Sequence, residues 1–249
     1  MMVAEERRVS GTAAVVLAGG SGSRSGRAGN KVYLPAGGRP LLAWSLRTFQ
    51  QSPLIARIIL VVRGVDRAAA RAVLQAEPTP KLQRVLQGGA SRHDSEHAGL
   101  EALATAIESA AVDLVCIHDA ARPFVAPGLI ARVLEAARRT GGGVPGLPLS
   151  DPVLLRSEGA QQPSLVPTAD LRLMQTPQAF RALRLLQAFR RAAEAGFTGV
   201  DTAETAQRFS DLQVEVVEGD PDNVKVTYAE DLAIVEELAA VRLGRSHGG

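Results

Sequence analysis

Lysine is scarce in this chain. Its 28 basic residues include only three lysines, Lys31, Lys81 and Lys225, and the rest are arginine. Lys225 stands in Asn223-Val224-Lys225-Val226-Thr227. Lys31 stands at the end of a glycine-rich loop that opens Leu17-Ala18-Gly19-Gly20-Ser21-Gly22-Ser23-Arg24. A lysine amine is a compact point charge on a flexible stem, suited to following a phosphate as charge builds on it. Gly19, Gly20 and Gly22 let backbone N–H groups approach phosphate oxygens and permit positive φ. Arg24 and Lys31 add positive charge at the far end of the same loop. No Gly-Lys-Ser/Thr closes it, so it is not a Walker loop, and it lacks the full dinucleotide spacing. A tight turn is the plain alternative for the glycines alone. The two cations favour a phosphate.

Two further motifs point the same way. Gly88-Gly89-Ala90-Ser91-Arg92-His93-Asp94-Ser95 places glycines before a polar helix start, where N–H groups can hold a base or phosphate. An ordinary strand-to-helix turn capped by Ser91 explains it equally well. In His118-Asp119-Ala120-Ala121-Arg122-Pro123-Phe124, an aspartate at a strand end can bind Mg²⁺ or a ribose hydroxyl, and Arg122 can meet a phosphate. The plain alternative there is a turn with a surface ion pair. His93 and His97 have the i, i+4 spacing of a metal pair but no further ligand signature, so they read as solvated helix residues. The single cysteine, Cys116, lies in an apolar run and reads as a core thiol; it excludes an internal disulfide and a multi-cysteine metal site.

These residues need a scaffold. Strand-like and helix-like segments alternate: strands at 12–17, 57–62, 83–87 and 112–118, helices at 41–50, 66–75 (with Asp66 as N-cap), 92–109 and 127–140. The alternation predicts an α/β fold, a Rossmann-like, mostly parallel sheet with helices on both faces. In such sheets ligands bind beyond the carboxyl ends of the strands. The loops at Ala18, Gly88 and Asp119 all follow strands, so they gather on one rim. Residues 141–177 break the rhythm with six prolines and read as an excursion from the sheet. Helical pattern returns at 181–195, strands at 214–217 and 224–227, and a last helix opens on a capping-box pattern at Thr227-Tyr228-Ala229-Glu230.

Aromatics are only 4% of the 249 residues while hydrophobic residues are 46%, so Val, Leu, Ile and Ala must build the core. A net charge of +2 with no Lys/Arg run gives no track for a nucleic-acid backbone. No stretch approaches the ~20 apolar residues of a membrane span, and the N-terminus has no apolar signal core. The expected compartment is the cytoplasm, with polar tails at 1–11 and 244–249.

The motifs in this order resemble the 2-C-methyl-D-erythritol 4-phosphate cytidylyltransferases, within the wider nucleotidyltransferases of that fold. The resemblance runs from Ala13 to about Glu237 and includes Thr176-Pro177-Gln178 and Lys225-Val226-Thr227. It implies a single domain over 12–243 of the nucleotide-diphospho-sugar transferase type, with a protruding β-arm near 148–175 that joins two subunits in a homodimer. It implies CMP transfer from CTP to a small phosphorylated polyol, a step of non-mevalonate isoprenoid precursor synthesis, with Mg²⁺ as cofactor. Ala18, Gly19, Gly89 and Ser95 would read the cytosine, and Asp119 and Ala120 would hold the ribose. Gly20, Gly22, Gly88 and Arg92 would complete the nucleotide site. Arg24, Lys31 and Lys225 would be catalytic, surrounding the triphosphate, with Asp119 also on the metal. Arg122, Asp151, Thr168 and Asp201 would face the acceptor.

The acceptor side departs from the family pattern. Asp151-Pro152-Val153-Leu154 stands where the family carries Asp-Thr-x-Lys, Thr168 where it carries an arginine, and Asn30 where it carries proline before the lysine. Asp201 is also readable as a helix N-cap with Glu204 as its partner. Another polyol- or sugar-phosphate such as ribitol 5-phosphate therefore stays open as acceptor, and so does a nucleotide-binding regulatory protein without catalysis.

Overall fold

The computed structural model describes residues 11–20, 29–156 and 162–245. The polar N-terminal tail, apart from Gly11, and residues 246–249 lie outside them, as do Gly22 and Arg24 of the glycine loop. The chain opens with β1 (Gly11–Ala18), followed by a short pair β2 (Pro35–Ala36) and β3 (Arg39–Pro40) and helix α1 (Leu41–Gln51). Then come β4 (Arg57–Val62), α2 (Arg67–Ala76), β5 (Leu82–Gln87), α3 (Arg92–Glu101), α4 (Ala104–Glu108), β6 (Val112–Asp119) and α5 (Pro127–Thr140). The second half runs β7 (Gly141–Pro148), β8 (Val153–Leu155), β9 (Ser164–Val166), β10 (Arg172–Met174), β11 (Gln178–Arg181), α6 (Ala182–Glu194), α7 (Thr202–Phe209), β12 (Gln213–Glu218) and α8 (Asp231–Arg245).

The main sheet is ordered β12-β7-β11-β6-β1-β4-β5, with β10 pairing β7 beyond β11. The β6–β1, β1–β4, β4–β5 and β7–β12 pairs are parallel, and β10 and β11 are the antiparallel insertions. The sheet is therefore mostly parallel, as its alternating pattern requires. Period-2 alternation sends Ala14, Val16 and Ala18 of β1 into the cluster built by α1, α2 and α5. Ala13, Val15 and Leu17 go into the opposite cluster built by α3, α4, α6 and α7. A third cluster joins Trp44, Phe124, Val226 and Val235, so α8 is docked at the edge of α1 and holds the segment before it in place.

Several elements differ from the sequence expectation. Residues 92–109 form two helices, because a turn at Ala102–Leu103 intervenes; Leu100, Leu103 and Ile107 still reach one core cluster. The excursion does not begin at 141: β7 lies within the main sheet, as do β10 and β11, and of the described strands in this stretch β8 and β9 form a separate two-stranded sheet. The glycine-rich sequence of β7 conceals the strand, and packing explains it. A Cβ on Gly143 would lie 2.3 Å from the Val133 carbonyl oxygen of α5, so only glycine lets that helix lie on the sheet. Residues 224–227 form no strand, and α8 starts at Asp231, whose carboxylate accepts from the N–H groups of Thr227 and Tyr228 at 2.6 and 2.8 Å. The helix runs to Arg245. Asp66 stands at the N-cap of α2 but makes no side-chain cap bond. Cys116 is fully buried, as expected, and burial pushes its thiol pKa up.

Gly143→Ala is expected to destabilise the protein by about 1–3 kcal/mol, the usual cost of overpacking. Gly128→Ala, in α5 with only the end of Arg132 nearby, should be neutral or slightly stabilising. Urea midpoints of the two variants check this, and equal midpoints would contradict it.

Candidate active site

The carboxyl ends of β1, β5 and β6 meet at one cavity of about 330 Å³. Gly19, Gly20, Gly89, Arg92, Ser95, Asp119, Lys31 and Lys225 all line it. The two scarce lysines thus converge from opposite ends of the chain. The Lys31 amine donates to the Thr227 carbonyl at 3.4 Å, two residues beyond Lys225. Lys225 is fixed by its neighbours: Val226 is buried in the third cluster, and its N–H donates to the Ala121 carbonyl at 2.8 Å. Full burial of a valine side chain is worth about 1.5–3 kcal/mol, enough to hold the lysine beside it at the cavity.

Asp119 is the hub. Its Oδ2 accepts from Lys225 Nζ at 2.6 Å and its Oδ1 from Arg92 Nε at 3.1 Å. Burial opposes its charge, but Arg92, Lys225 and Arg122 together hold the carboxyl far below the ordinary range. Its backbone is pinned too. The Asp119 N–H donates to Thr176 Oγ1 at 3.1 Å, and that hydroxyl lies 3.3 Å from His118 Nδ1. His118 Nε2 faces the Arg122 carbonyl at 3.0 Å, which can only accept. The proton therefore sits on Nε2, and Nδ1 accepts from Thr176. Burial pushes the His118 pKa down to about 4, so it stays neutral and holds the strand end.

The base of the glycine loop is closed by Asn30. Its Nδ2 donates to the Ala18 carbonyl at 2.6 Å and to Asp66 Oδ2 at 2.9 Å, and its Oδ1 accepts from the Val32 N–H at 3.3 Å. Asp66 is gripped in turn by Arg63 at 2.6 and 2.8 Å. One side chain thus joins the end of β1 to the turn that carries Lys31. Positive φ is found at Gly29 (109°) and not at Gly19 or Gly20. A Cβ on Gly20 would meet nothing within 4 Å, so its openness faces the cavity. Gly89 is needed for another reason. A Cβ there would lie 2.2 Å from the Asp94 Cβ, where Ser91 and Asp94 form a capping box at the head of α3.

The remaining candidates lie around this core. Ala18 and Ala120 are buried beneath the cavity, tied by the bond from the Ala120 N–H to the Leu17 carbonyl at 2.9 Å. Gly88 backs onto Ser95. Arg122 is buried in the wall, donating to the carbonyls of Asn223 at 2.7 Å and Met174 at 3.3 Å, so it is not the surface group that its motif suggests. Asp201 is the N-cap of α7, accepting from the Ala203 N–H at 2.8 Å and from Gln178 Nε2 at 2.9 Å. Glu204 accepts from the Val200 N–H at 2.8 Å, the helix-start reading of that pair. Asp151 and Thr168 stand in the stretches flanking the β8–β9 arm, and neither lines the cavity of its own chain. His93 is buried and stacked on Phe189 at 4.6 Å rather than solvated, and His97 is partly exposed beside Glu101.

Among the described residues no group of three or more His, Cys, Asp or Glu could cage a metal. A single strongly ionised carboxylate fits Mg²⁺, which keeps several waters and is bound through one or two carboxylates plus substrate phosphates. Sequence reasoning missed Glu96 and Thr202 as supports of the site, and gave Asn30 and Thr176 no role beyond their place in the motifs. Glu96 was legible as the i, i+4 partner of Arg92; Thr202 had no local signal.

Asn30→Ala leaves the Ala18 carbonyl without its side-chain donor and takes one bond from Asp66, which keeps Arg63, and should cost about 1–3 kcal/mol. Asn30→Asp should cost more, because it sets a second carboxylate against Asp66. Denaturant unfolding of both variants measures this; an Asp variant as stable as the wild type would contradict it.

A profile of the family described as 2-C-methyl-D-erythritol 4-phosphate cytidylyltransferase matches residues 12–240. A protein of that name from Cereibacter sphaeroides is 42% identical over 233 residues, covering 94% of this chain and 99% of its own. One from Thermus thermophilus is 39% identical over 228 residues, covering 91% of this chain and 96% of its own. The crystal structure of the Thermus thermophilus enzyme superposes with a TM-score of 0.71 at 33% identity, covering 91% of this chain and 98% of that one. That of 4-diphosphocytidyl-2C-methyl-D-erythritol synthase from Anaerococcus prevotii gives 0.79 at 26% identity, covering 92% and 98%. With nearly its whole length matched, this chain belongs to the 2-C-methyl-D-erythritol 4-phosphate cytidylyltransferase family.

Proposed function

We propose that the protein transfers CMP from CTP to 2-C-methyl-D-erythritol 4-phosphate and releases pyrophosphate. The observation that carries this reading is the convergence of Lys31 and Lys225 on one cavity that also holds Asp119 and the glycines of two loops. The cavity presents three cations, Lys31, Arg92 and Lys225, against the Asp119 carboxylate, an excess suited to a triphosphate.

In this reading Gly19, Gly89 and Ser95 line the base end of the nucleotide, with Ala18 beneath, and Asp119, backed by the buried Ala120, meets the ribose. A phosphate oxygen of the acceptor attacks the α-phosphorus in line, and the bond to pyrophosphate breaks. No covalent enzyme intermediate forms. Lys31 and Lys225, with Arg24 from the loop, neutralise charge that grows on the phosphoryl oxygens, so the chain contributes positioning and electrostatics. Mg²⁺, when bound through Asp119 and nucleotide oxygens, would add further charge neutralisation.

Asp201 is left to face the acceptor, with Asp151 and Thr168 reaching it from the arm, while Arg122, enclosed by the Asn223 and Met174 carbonyls, supports the wall. Leu154, Leu155 and Leu165 of the arm are 63%, 54% and 69% exposed, an apolar surface suited to a second copy. The protein is proposed to be a homodimer with exchanged arms and to work in the cytoplasm; no helix among the described residues is long and apolar enough to cross a membrane.

Lys31→Ala and Lys225→Ala should each lower kcat by about 10²–10³ with little loss of thermal stability. Pyrophosphate release with CTP, Mg²⁺ and 2-C-methyl-D-erythritol 4-phosphate tests this; an active wild type whose lysine variants keep full rate would contradict it. Sedimentation at micromolar concentration should give twice the chain mass, and a monomer would refute the exchanged arms.

A further inference from the structure

Behind the cavity lies a carboxylate that the reaction as proposed does not use. Glu96, on α3, is fully buried. Its Oε1 accepts from Arg92 Nη1 at 2.7 Å and from the Thr202 hydroxyl. The same guanidinium reaches forward through Nε to Asp119. Arg92 therefore bridges two carboxylates, one at the cavity and one behind it. Thr202, also fully buried, opens α7 next to Asp201, and Asp201 is bound to Gln178 of β11. The bridge is thereby anchored in a second helix and the sheet.

We propose that Glu96 is a positioning residue for the nucleotide site: by holding one end of the Arg92 guanidinium, it sets how firmly Arg92 grips Asp119. The proposal rests on the nucleotide reading of the cavity. Asp119 must release part of its hold on its own cations to meet a ribose hydroxyl or a metal. An ionised Glu96 draws Arg92 backward and loosens that hold. A neutral group at the same place leaves Arg92 wholly to Asp119, and the carboxylate becomes less available. Glu96 has a charge to lose. Burial pushes its pKa up to about 7, against the pull of Arg92 and the Thr202 hydroxyl. The charged groups around it are Arg92 on its own helix, Asp119 at the end of β6 and Asp201 at the head of α7.

The test is calorimetric binding of CTP with Mg²⁺ to the full chain, wild type against Glu96→Gln, from well above to well below the Glu96 pKa of about 7. At high pH the variant should bind about tenfold more weakly, the lower end of the usual loss for supporting residues. The gap should close as pH falls, because the wild-type carboxyl then becomes neutral as well. A gap that stays constant with pH, or equal affinities throughout, overturns this proposal alone. A wild type that binds no CTP overturns it together with the nucleotide reading. If Glu96→Gln does not fold, Thr202→Val carries the test. Loss of the hydroxyl raises the Glu96 pKa further, so its deficit should peak near neutrality and vanish at either extreme. A flat deficit overturns the proposal.

Discussion

The site depends on one carboxylate shared between two cations. Asp119 ends the strand β6, and its two oxygens take Arg92 from α3 and Lys225 from the segment before α8. Three stretches far apart in the chain are thereby brought to one point. The pair is only partly shielded, with the Lys225 side chain 42% exposed, so its own contribution to stability is modest. Its importance is positional. Hydrophobic burial holds the supports, through Val226 in its cluster and the apolar strands beneath, and the ion pairs orient what remains free to move.

The arrangement also explains why the cavity is poised for an anion. Among the described residues that line it, Lys31, Arg92 and Lys225 face one carboxylate, Asp119, which is already engaged; Glu96 holds Arg92 from behind. Arg92 and Asp119 are largely shielded, with side chains 26% and 11% exposed, which strengthens the interaction between them. A preorganised set of cations costs no reorganisation when negative charge develops. The neutral His118–Thr176 pair behind Asp119 serves the same end, because it fixes the strand terminus without adding a competing charge.

Much of this was legible in the sequence because the relevant signals are local. The apolar runs of β1, β4 and β6 and the glycines following strands fix both the sheet and its ligand rim. Features that depend on tertiary contact were not legible. β7 looks irregular until α5 is placed against Gly143. His93 looks solvated until Phe189 covers it. The link from Glu96 to Thr202 joins residues with no periodic relation, so no pattern could reveal it. Arg122 has the position of a surface ligand but is enclosed by the carbonyls of Met174 and Asn223, which arrive late in the chain. The acceptor side is least legible: Asp151 and Thr168 flank an arm, and neither lines the cavity.

The most direct test of the account is a crystal structure of the protein with CTP and Mg²⁺. The triphosphate should lie between Lys31 and Lys225, with both amines in ion-pair reach of its oxygens and the ribose beside Asp119. A nucleotide bound elsewhere, or one that engages neither lysine, would contradict it.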